Sequence, residues 1–230
     1  MITFKQFIAE IDYDDSVLTK AASHSASQYK LDGEWKKLSL KQQLDSHFEL
    51  YWKGYPQSEH FKIAVYDPKA KITAVVVELK TTSLKLPGGT LTGMISTNLF
   101  SNETYRGKGL PFLAYSSLIN NGQVLVSSHE QTSGSRKLWE KLVQANLGEV
   151  FVVAEYADAR WYMGKEPERF KQYIGKLERV LLSGPLELLN DAAYGTSDTC
   201  WIILPKNLDG LNRFKELAVK LPQKPELDNE

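Results

Sequence analysis

The 230-residue chain has almost no cysteine, and Cys200 stands alone. A single thiol excludes an intrachain disulfide framework and a cysteine-built zinc site, and it fits a reducing compartment. An excess of either charge is missing too. The 28 basic residues offset 28 acidic ones, so nothing global favours nucleic acid or another polyanion as partner. No apolar run approaches the ~20 residues that span a bilayer. The opening, from Met1 to Glu10, is too polar for a signal-peptide core and reads as a short amphipathic helix with Ile2, Phe4, Phe7 and Ile8 apolar. These absences together predict a cytoplasmic protein with no membrane partner. Several catalytic signatures are missing as well. There is no Gly-x-Ser-x-Gly elbow and no Walker-type phosphate loop, and His24, His47, His60 and His129 lack metal-ligand spacing. Internal repeats and low-complexity segments are absent.

What remains is an ordinary globular composition, 42% hydrophobic and 24% charged. Cys200 lies against Trp201, Ile202, Ile203 and Leu204, so a buried, inert thiol is expected rather than a nucleophile. The first 60 residues read as helical. Asp14, Asp15 or Ser16 caps a helix through Tyr29, and Ser39 caps a second from Leu40 to Trp52, stopped by Gly54 and Pro56. Alternation then takes over. Strands are expected from Phe61 to Tyr66, Ile72 to Leu79 and Thr90 to Phe100, the first two joined as a hairpin at Asp67-Pro68. Helices are expected from Leu110 to Asn120 and from Ser133 to Gln144, with strands from Gln123 to Ser128 and Glu149 to Glu155. A long amphipathic helix follows from Lys165 to Leu182, its apolar face packing on the sheet or on a second subunit. Thr199 to Leu204 is a strand, Leu211 to Leu221 a last helix, and Pro222 to Glu230 a disordered tail. The expected architecture is α/β (α+β): a mixed, mostly antiparallel central sheet flanked by helices. A helical part over 1–60 packs on a core over 61–205, which carries a helical insertion at about 160–193. A C-terminal helix and tail follow over 206–230.

The most informative stretch is Glu103-Thr-Tyr-Arg-Gly-Lys-Gly-Leu110, between the third strand and a helix. A glycine-rich turn there aims several backbone N–H groups at one spot, at the positive end of the helix dipole. Gly107 and Gly109 carry no Cβ to block close approach and can adopt positive φ. Arg106 and Lys108 supply charge that a diphosphate accepts.

The element order and this turn resemble the GNAT acyltransferase superfamily. In that family the fourth strand ends in a turn of form Arg/Gln-x-x-Gly-x-Gly/Ala that holds the pyrophosphate of acyl-coenzyme A. Arg106, Gly107, Lys108, Gly109 and Leu110 match it, and Pro111 stands where the final Gly or Ala is usual. The segment from Thr132 to Leu142 is similar to the family helix Asn-x-x-Ala-x-x-Leu-Tyr-Glu-Lys-Leu. Leu138, Glu140, Lys141 and Leu142 agree, Thr132 replaces Asn, Ser135 replaces Ala, and Trp139 replaces the Tyr that often protonates the departing thiolate. The resemblance spans roughly Phe61 to Phe151. It implies acetyl-coenzyme A, or another acyl-coenzyme A, as co-substrate, held by Leu99, Phe100, Arg106, Gly107, Lys108, Gly109 and Leu110. Backbone between Ile95 and Leu99 would align the thioester. The partner would be an amine-bearing small molecule or protein, and a homodimer is compatible with the pattern. The opening Met-Ile-Thr-Phe-Lys-Gln-Phe also resembles the starts of tailed-bacteriophage proteins, which would place the chain in a host cytoplasm.

Acyl transfer to an amine needs a proton acceptor, and the strand from Thr90 to Phe100 contains no carboxylate. Glu103 before the turn, and His129 and Glu130 after the next strand, are the candidate proton relays. The plainer reading makes all three solvated loop residues. Tyr105 and Tyr115 are expected in the core, and Ser96 and Thr97 could offer hydroxyls to the site. Two further functions stay open beside the N-acyltransferase. One is a GNAT-like domain that has lost catalysis and serves as a binding or virion-associated module. The other is a structural protein whose turn only resembles the motif.

Overall fold

A computed structural model describes residues 26, 29–38, 47–54, 59–86, 89–128, 131–155, 179–195 and 199–221 of the chain. Among them ten strands form one sheet: β1 (Lys36–Lys37), β2 (Glu49–Gly54), β3 (His60–Asp67), β4 (Ile72–Leu86), β5 (Gly89–Ser101), β6 (Leu125–Val126), β7 (Gly148–Glu155), β8 (Arg179–Ser183), β9 (Cys200–Pro205) and β10 (Val219–Lys220). Their spatial order is β1-β2-β3-β4-β5-β6-β9-β7-β8-β10. The described helices are α1 (Leu110–Asn120), α2 (Ser133–Gln144), α3 (Leu186–Gly195) and α4 (Leu211–Leu217). The architecture is mixed α/β with a mostly antiparallel sheet. Only β5 with β6 and β8 with β10 run parallel. No described helix is long and apolar enough to cross a membrane.

The first core lies between one face of the sheet and helices α1, α2 and α3. Val75, Val77 and Leu79 of β4 meet Leu113, Ala114 and Leu118 of α1 there, with Trp139 and Leu142 of α2. Helix α1 is buried on nearly every side, from Leu110 through Ile119, as its all-round apolar composition requires. The opposite face carries two separate covers. Trp35 and Ala26, with Tyr29 and Leu31 packed alongside, cover Ala64 and Val76. Leu84, Leu86 and Leu91 of the β4–β5 hairpin and Phe214 of α4 cover Val153, Cys200 and Ile202. Strand β9 is therefore buried on both sides along its length, and its unbroken apolar run Cys-Trp-Ile-Ile-Leu is what such a position selects. The Cys200 thiol is buried, as expected from its neighbours. Burial pushes it up to about 12 despite the nearby Arg179, so it stays protonated and inert.

Several sequence expectations need correction. The helix expected from Leu40 to Trp52 is not helical at its end: Glu49–Gly54 is strand β2, paired antiparallel with β3 from Glu49↔Tyr66 to Gly54↔Phe61. Leu50 faces the first core from that strand, and partners across the sheet override a local pattern that suited a helix. The N-terminal 60 residues thus contribute β1 and β2 to the sheet. The helix expected from Lys165 to Leu182 likewise fails over its last residues, because Arg179–Ser183 is strand β8. Val180, Leu181 and Leu182 are buried on both faces between β7 and β10, and a three-residue apolar run has no period of its own. Strand β4 continues past Leu79 to Leu86, since Leu84 and Leu86 keep alternating inward. The last helix stops at Leu217, where Ala218 turns extended and β10 begins. Residues 1–25, 156–178 and 222–230 lie outside the described residues. So do most of the first two expected helices, the body of the long one and the expected tail.

Candidate functional site

The site is built on β5. Near its middle β5 runs beside β6 in parallel, with Met94 opposite Leu125 and Ile95 opposite Val126. Gly93 permits this approach: a Cβ there would sit 2.9 Å from methyls of both Val124 and Val126. After Val126 the two strands separate. The Ser127 N–H donates to the Trp201 carbonyl at 2.9 Å, and the Trp201 N–H donates to Ser127 Oγ at 2.9 Å. The chain leaving β6 therefore stays with β9 and leaves β5 behind. Residues 96–99 continue with β4 as their described strand partner. One of them, Leu99, is 39% exposed. A bulge interrupts the β4–β5 ladder at this point: Leu79 pairs with Ser96 and Glu78 with Asn98, so Thr97 is the extra residue. Bulges bend a strand and re-aim its backbone.

At the far end of β5 the chain enters the glycine turn. Asn102 accepts from the Thr104 N–H and caps a single 3-10 turn, Glu103–Tyr105. Gly107 has φ 73° and Gly109 φ 68°, a region that favours glycine. Helix α1 starts at Leu110, with Pro111 in its first turn. Pro111 removes one N–H that has no intrahelical partner. The Arg106 N–H donates to the Glu103 carbonyl, the Lys108 N–H to Tyr105 and the Phe112 N–H to Gly109. No described acceptor takes the N–H groups of Gly107, Gly109 and Leu110. Arg106 and Lys108 are exposed, and the Lys108 ammonium lies over the Tyr105 ring, 4.6 Å from its centroid. Among the expected ligand-binding residues, Arg106, Gly107, Lys108, Gly109 and Leu110 come together at one helix start. Leu99 and Phe100 lie two residues and one residue before the strand's last residue, Ser101, and face opposite ways. The Phe100 side chain packs on Tyr29, ring centroids 5.6 Å apart, in the cover of the far face.

Of the expected proton relays, Glu103 is exposed on the 3-10 turn. His129 and Glu130 lie outside the described residues. Trp139 is 3% exposed and meets the Tyr115 ring edge-on at 6.5 Å, so the indole fills the core. Tyr115 is also buried, its hydroxyl facing the Ser96 side chain on β5; burial pushes it up to about 12. Tyr105 and Tyr115 are thus core residues, as expected.

The structure brings in two carboxylates that the sequence reading left aside. Glu78 of β4 lies in a row across the sheet between Lys62 and Asn98. It accepts from Lys62 Nζ at 2.5 Å, Asn98 Nδ2 at 2.8 Å and the Tyr29 hydroxyl at 3.0 Å. Burial would raise its pKa, but these donors outweigh burial and hold it below the ordinary carboxylate value. Thr97 Oγ1 donates to the Glu78 carbonyl at 3.2 Å, so Glu78 anchors both sides of the bulge. One signal was present in the sequence: a lone carboxylate inside an apolar strand is costly without partners.

The second is Asp67, the last residue of β3, 7% exposed. Burial alone would raise its pKa. Hydrogen bonds from the Tyr105 hydroxyl, the Ala70 N–H, His47 and the Lys69 N–H outweigh this and lower it from 3.8 to about 2. A group with a depressed folded-state pKa stabilises the fold at pH above its unfolded value, and that contribution disappears as pH falls through the folded value. The stability gap between the protein and Asp67→Asn, measured by urea unfolding, should therefore be constant from neutral pH to about pH 5 and shrink between about pH 4 and pH 2. A gap that does not narrow over that window would show that the carboxylate's charge is not what the fold uses.

Comparison with protein-family models and with curated proteins finds no match to this chain.

Proposed function

We propose that the protein is an acyl-coenzyme A dependent N-acyltransferase of the GNAT kind, with acetyl-coenzyme A the simplest donor. One observation carries this reading: β5 parts from β6 after Ile95 and leads into a glycine turn whose Gly107, Gly109 and Leu110 N–H groups have no described acceptor. A split in a sheet exposes strand edge, and an extended ligand containing amides can pair with such an edge as an added strand. Residues 96–99 offer that edge over ~13 Å. The diphosphate of the same ligand then falls on the turn, where the helix dipole, Arg106 and Lys108 favour negative charge. Its thioester lies near the bulge at Thr97. In the reaction the amine lone pair attacks the thioester carbonyl carbon and a C–N bond forms. The C–S bond breaks, and the thiolate takes up the proton that the nitrogen loses. A backbone N–H at the bulge would stabilise the oxyanion, and holding the two substrates together supplies much of the rate.

A second reading is favoured by Trp139. Its indole is packed in the core, so the α2 position that would protonate the leaving thiolate in relatives cannot do so here, and the domain would bind the coenzyme without turning it over. Calorimetric titration with acetyl-coenzyme A and thiol release with a panel of amines separate the possibilities. Acyl transfer predicts saturable binding and amine-dependent release. Binding without release from any amine selects the second reading, and no binding eliminates both.

A further inference from the structure

We propose that Asp67, acting through Tyr105, is the positioning residue that fixes the glycine turn in its anion-accepting conformation; the ligand assigned to that turn rests on the function proposed above. The Asp67 carboxylate is divided between two tasks. Its Oδ1 accepts from the Lys69 and Ala70 N–H groups at 2.9 and 3.1 Å, which shapes the β3–β4 turn. Its Oδ2 accepts from the Tyr105 hydroxyl at 2.8 Å, across 38 residues of sequence, and from His47 Nε2 at 3.4 Å. Closing the β3–β4 turn needs only the first oxygen. The second reaches the residue immediately before Arg106.

Tyr105 is the post around which the turn winds. Its N–H donates to the Asn102 carbonyl at 2.9 Å and its carbonyl accepts from the Lys108 N–H at 3.3 Å. Its ring lies under the Lys108 ammonium and takes the edge of Phe48 at 6.0 Å. One further tether, the Asn102 N–H to the Ala74 carbonyl at 2.8 Å, ties the start of the segment to β4. Between these tethers and α1 stand two glycines at positive φ. Glycine has the widest conformational choice of any residue, so a turn built on it is defined by what anchors its ends. Site groups must be held within a fraction of an ångström to bind with full strength. The buried, charge-assisted bond from Tyr105 to Asp67 is of the kind strong enough to do so.

Tyr105→Phe removes the hydroxyl and leaves the ring, the cation contact and the backbone bonds in place. Native-state hydrogen exchange resolved by residue reads the turn directly, with or without ligand. The expected result is exchange at Arg106, Lys108 and Phe112, the amides that donate within the turn, accelerated by ~10-fold or more, with β9 amides unchanged. Coenzyme A affinity, measured on the same samples, should weaken by ~5- to 10-fold with little change in melting temperature. Unchanged exchange in the turn, or acceleration spread evenly over the molecule, overturns the proposal, because a merely structural bond would give one of those. Asp67→Asn, which keeps the shape and removes the charge, should accelerate the same turn amides beyond its general loss of stability, and it serves should Tyr105→Phe fail to fold. If the unmutated protein binds no coenzyme A, the functional reading falls, and the exchange comparison still decides whether Asp67 and Tyr105 position the turn.

Discussion

Gly109→Asp will abolish coenzyme A binding and leave the protein folded. Gly109 caps α1 in the left-handed region, at φ 68° and ψ 11°. Most side chains are strained there, but Asp and Asn visit it more readily than others, at a cost of ~1–2 kcal/mol. That is tolerable for a domain with a typical stability of ~5–15 kcal/mol. The new carboxylate would stand among the N–H groups of Gly107, Gly109 and Leu110 and compete for the same donors. It would also oppose the phosphates. At ~5 Å and an effective dielectric of ~20, each pair of like charges costs ~3 kcal/mol, more than ~100-fold in affinity. Gly109→Asn separates strain from charge, because it has the same shape and no charge, and it should retain much of the binding that Asp loses. The measurements are calorimetric titration with coenzyme A and far-UV circular dichroism. Unaltered affinity in Gly109→Asp would remove the diphosphate from this turn, and with it the functional reading.

Trp201→Ala should produce the largest loss of stability of any single truncation in the sheet. Trp201 is fully buried, on β9, and has β6 on one side and β7 on the other. Its side chain belongs to the core shared with α1 and α2. Truncating a buried Trp to Ala costs ~3–5 kcal/mol, because a cavity adds to the lost transfer energy. That is a large part of the margin most domains possess. The backbone of the same residue exchanges hydrogen bonds with Ser127, and these draw the chain after β6 away from β5. The variant keeps both main-chain bonds, so the core should loosen while the course of the chain after β6 is retained. Urea unfolding tests the first effect, with Trp201→Phe as a milder partner expected to cost less. A loss below ~1 kcal/mol would mean that β9 is not the centre of the core.

The local elements were readable where one periodicity dominated a segment and punctuation closed it. Helix α2 shows the spacing of Leu138, Trp139, Leu142 and Val143 and starts at the cap Thr132, whose side chain accepts from the Ser135 N–H at 3.2 Å. Helix α1 begins where Gly109 ends the turn. Strand β2 was misread because Phe48, Leu50 and Trp52 fit a strand while Leu40, Leu44 and Phe48 fit a helix, and the overlap has no local arbiter. Strand β8 was absorbed into a helix for the same reason, with Val180 and Leu181 shared by both patterns. Of the candidate site, the glycine turn was fully visible in the sequence, because its chemistry depends on residues within five positions of each other. Glu78 and Asp67 were not. Each looked like an ordinary strand or turn residue until Asn98 and Tyr29, or Tyr105 and His47, were brought to it from tens of residues away.

By itself, the sequence determined a mixed α/β chain, the boundaries of α1 and α2, the buried state of Cys200 and a glycine turn between β5 and α1. All of these follow from spacing and side-chain chemistry within a few residues, where backbone geometry leaves few choices. Only the tertiary structure decided that β1, β2, β8 and β10 extend the sheet, that β5 and β6 run parallel and then part, and that Asp67 holds Tyr105. These depend on which distant segments pair, and pairing is selected by burial and hydrogen-bond satisfaction over the whole fold.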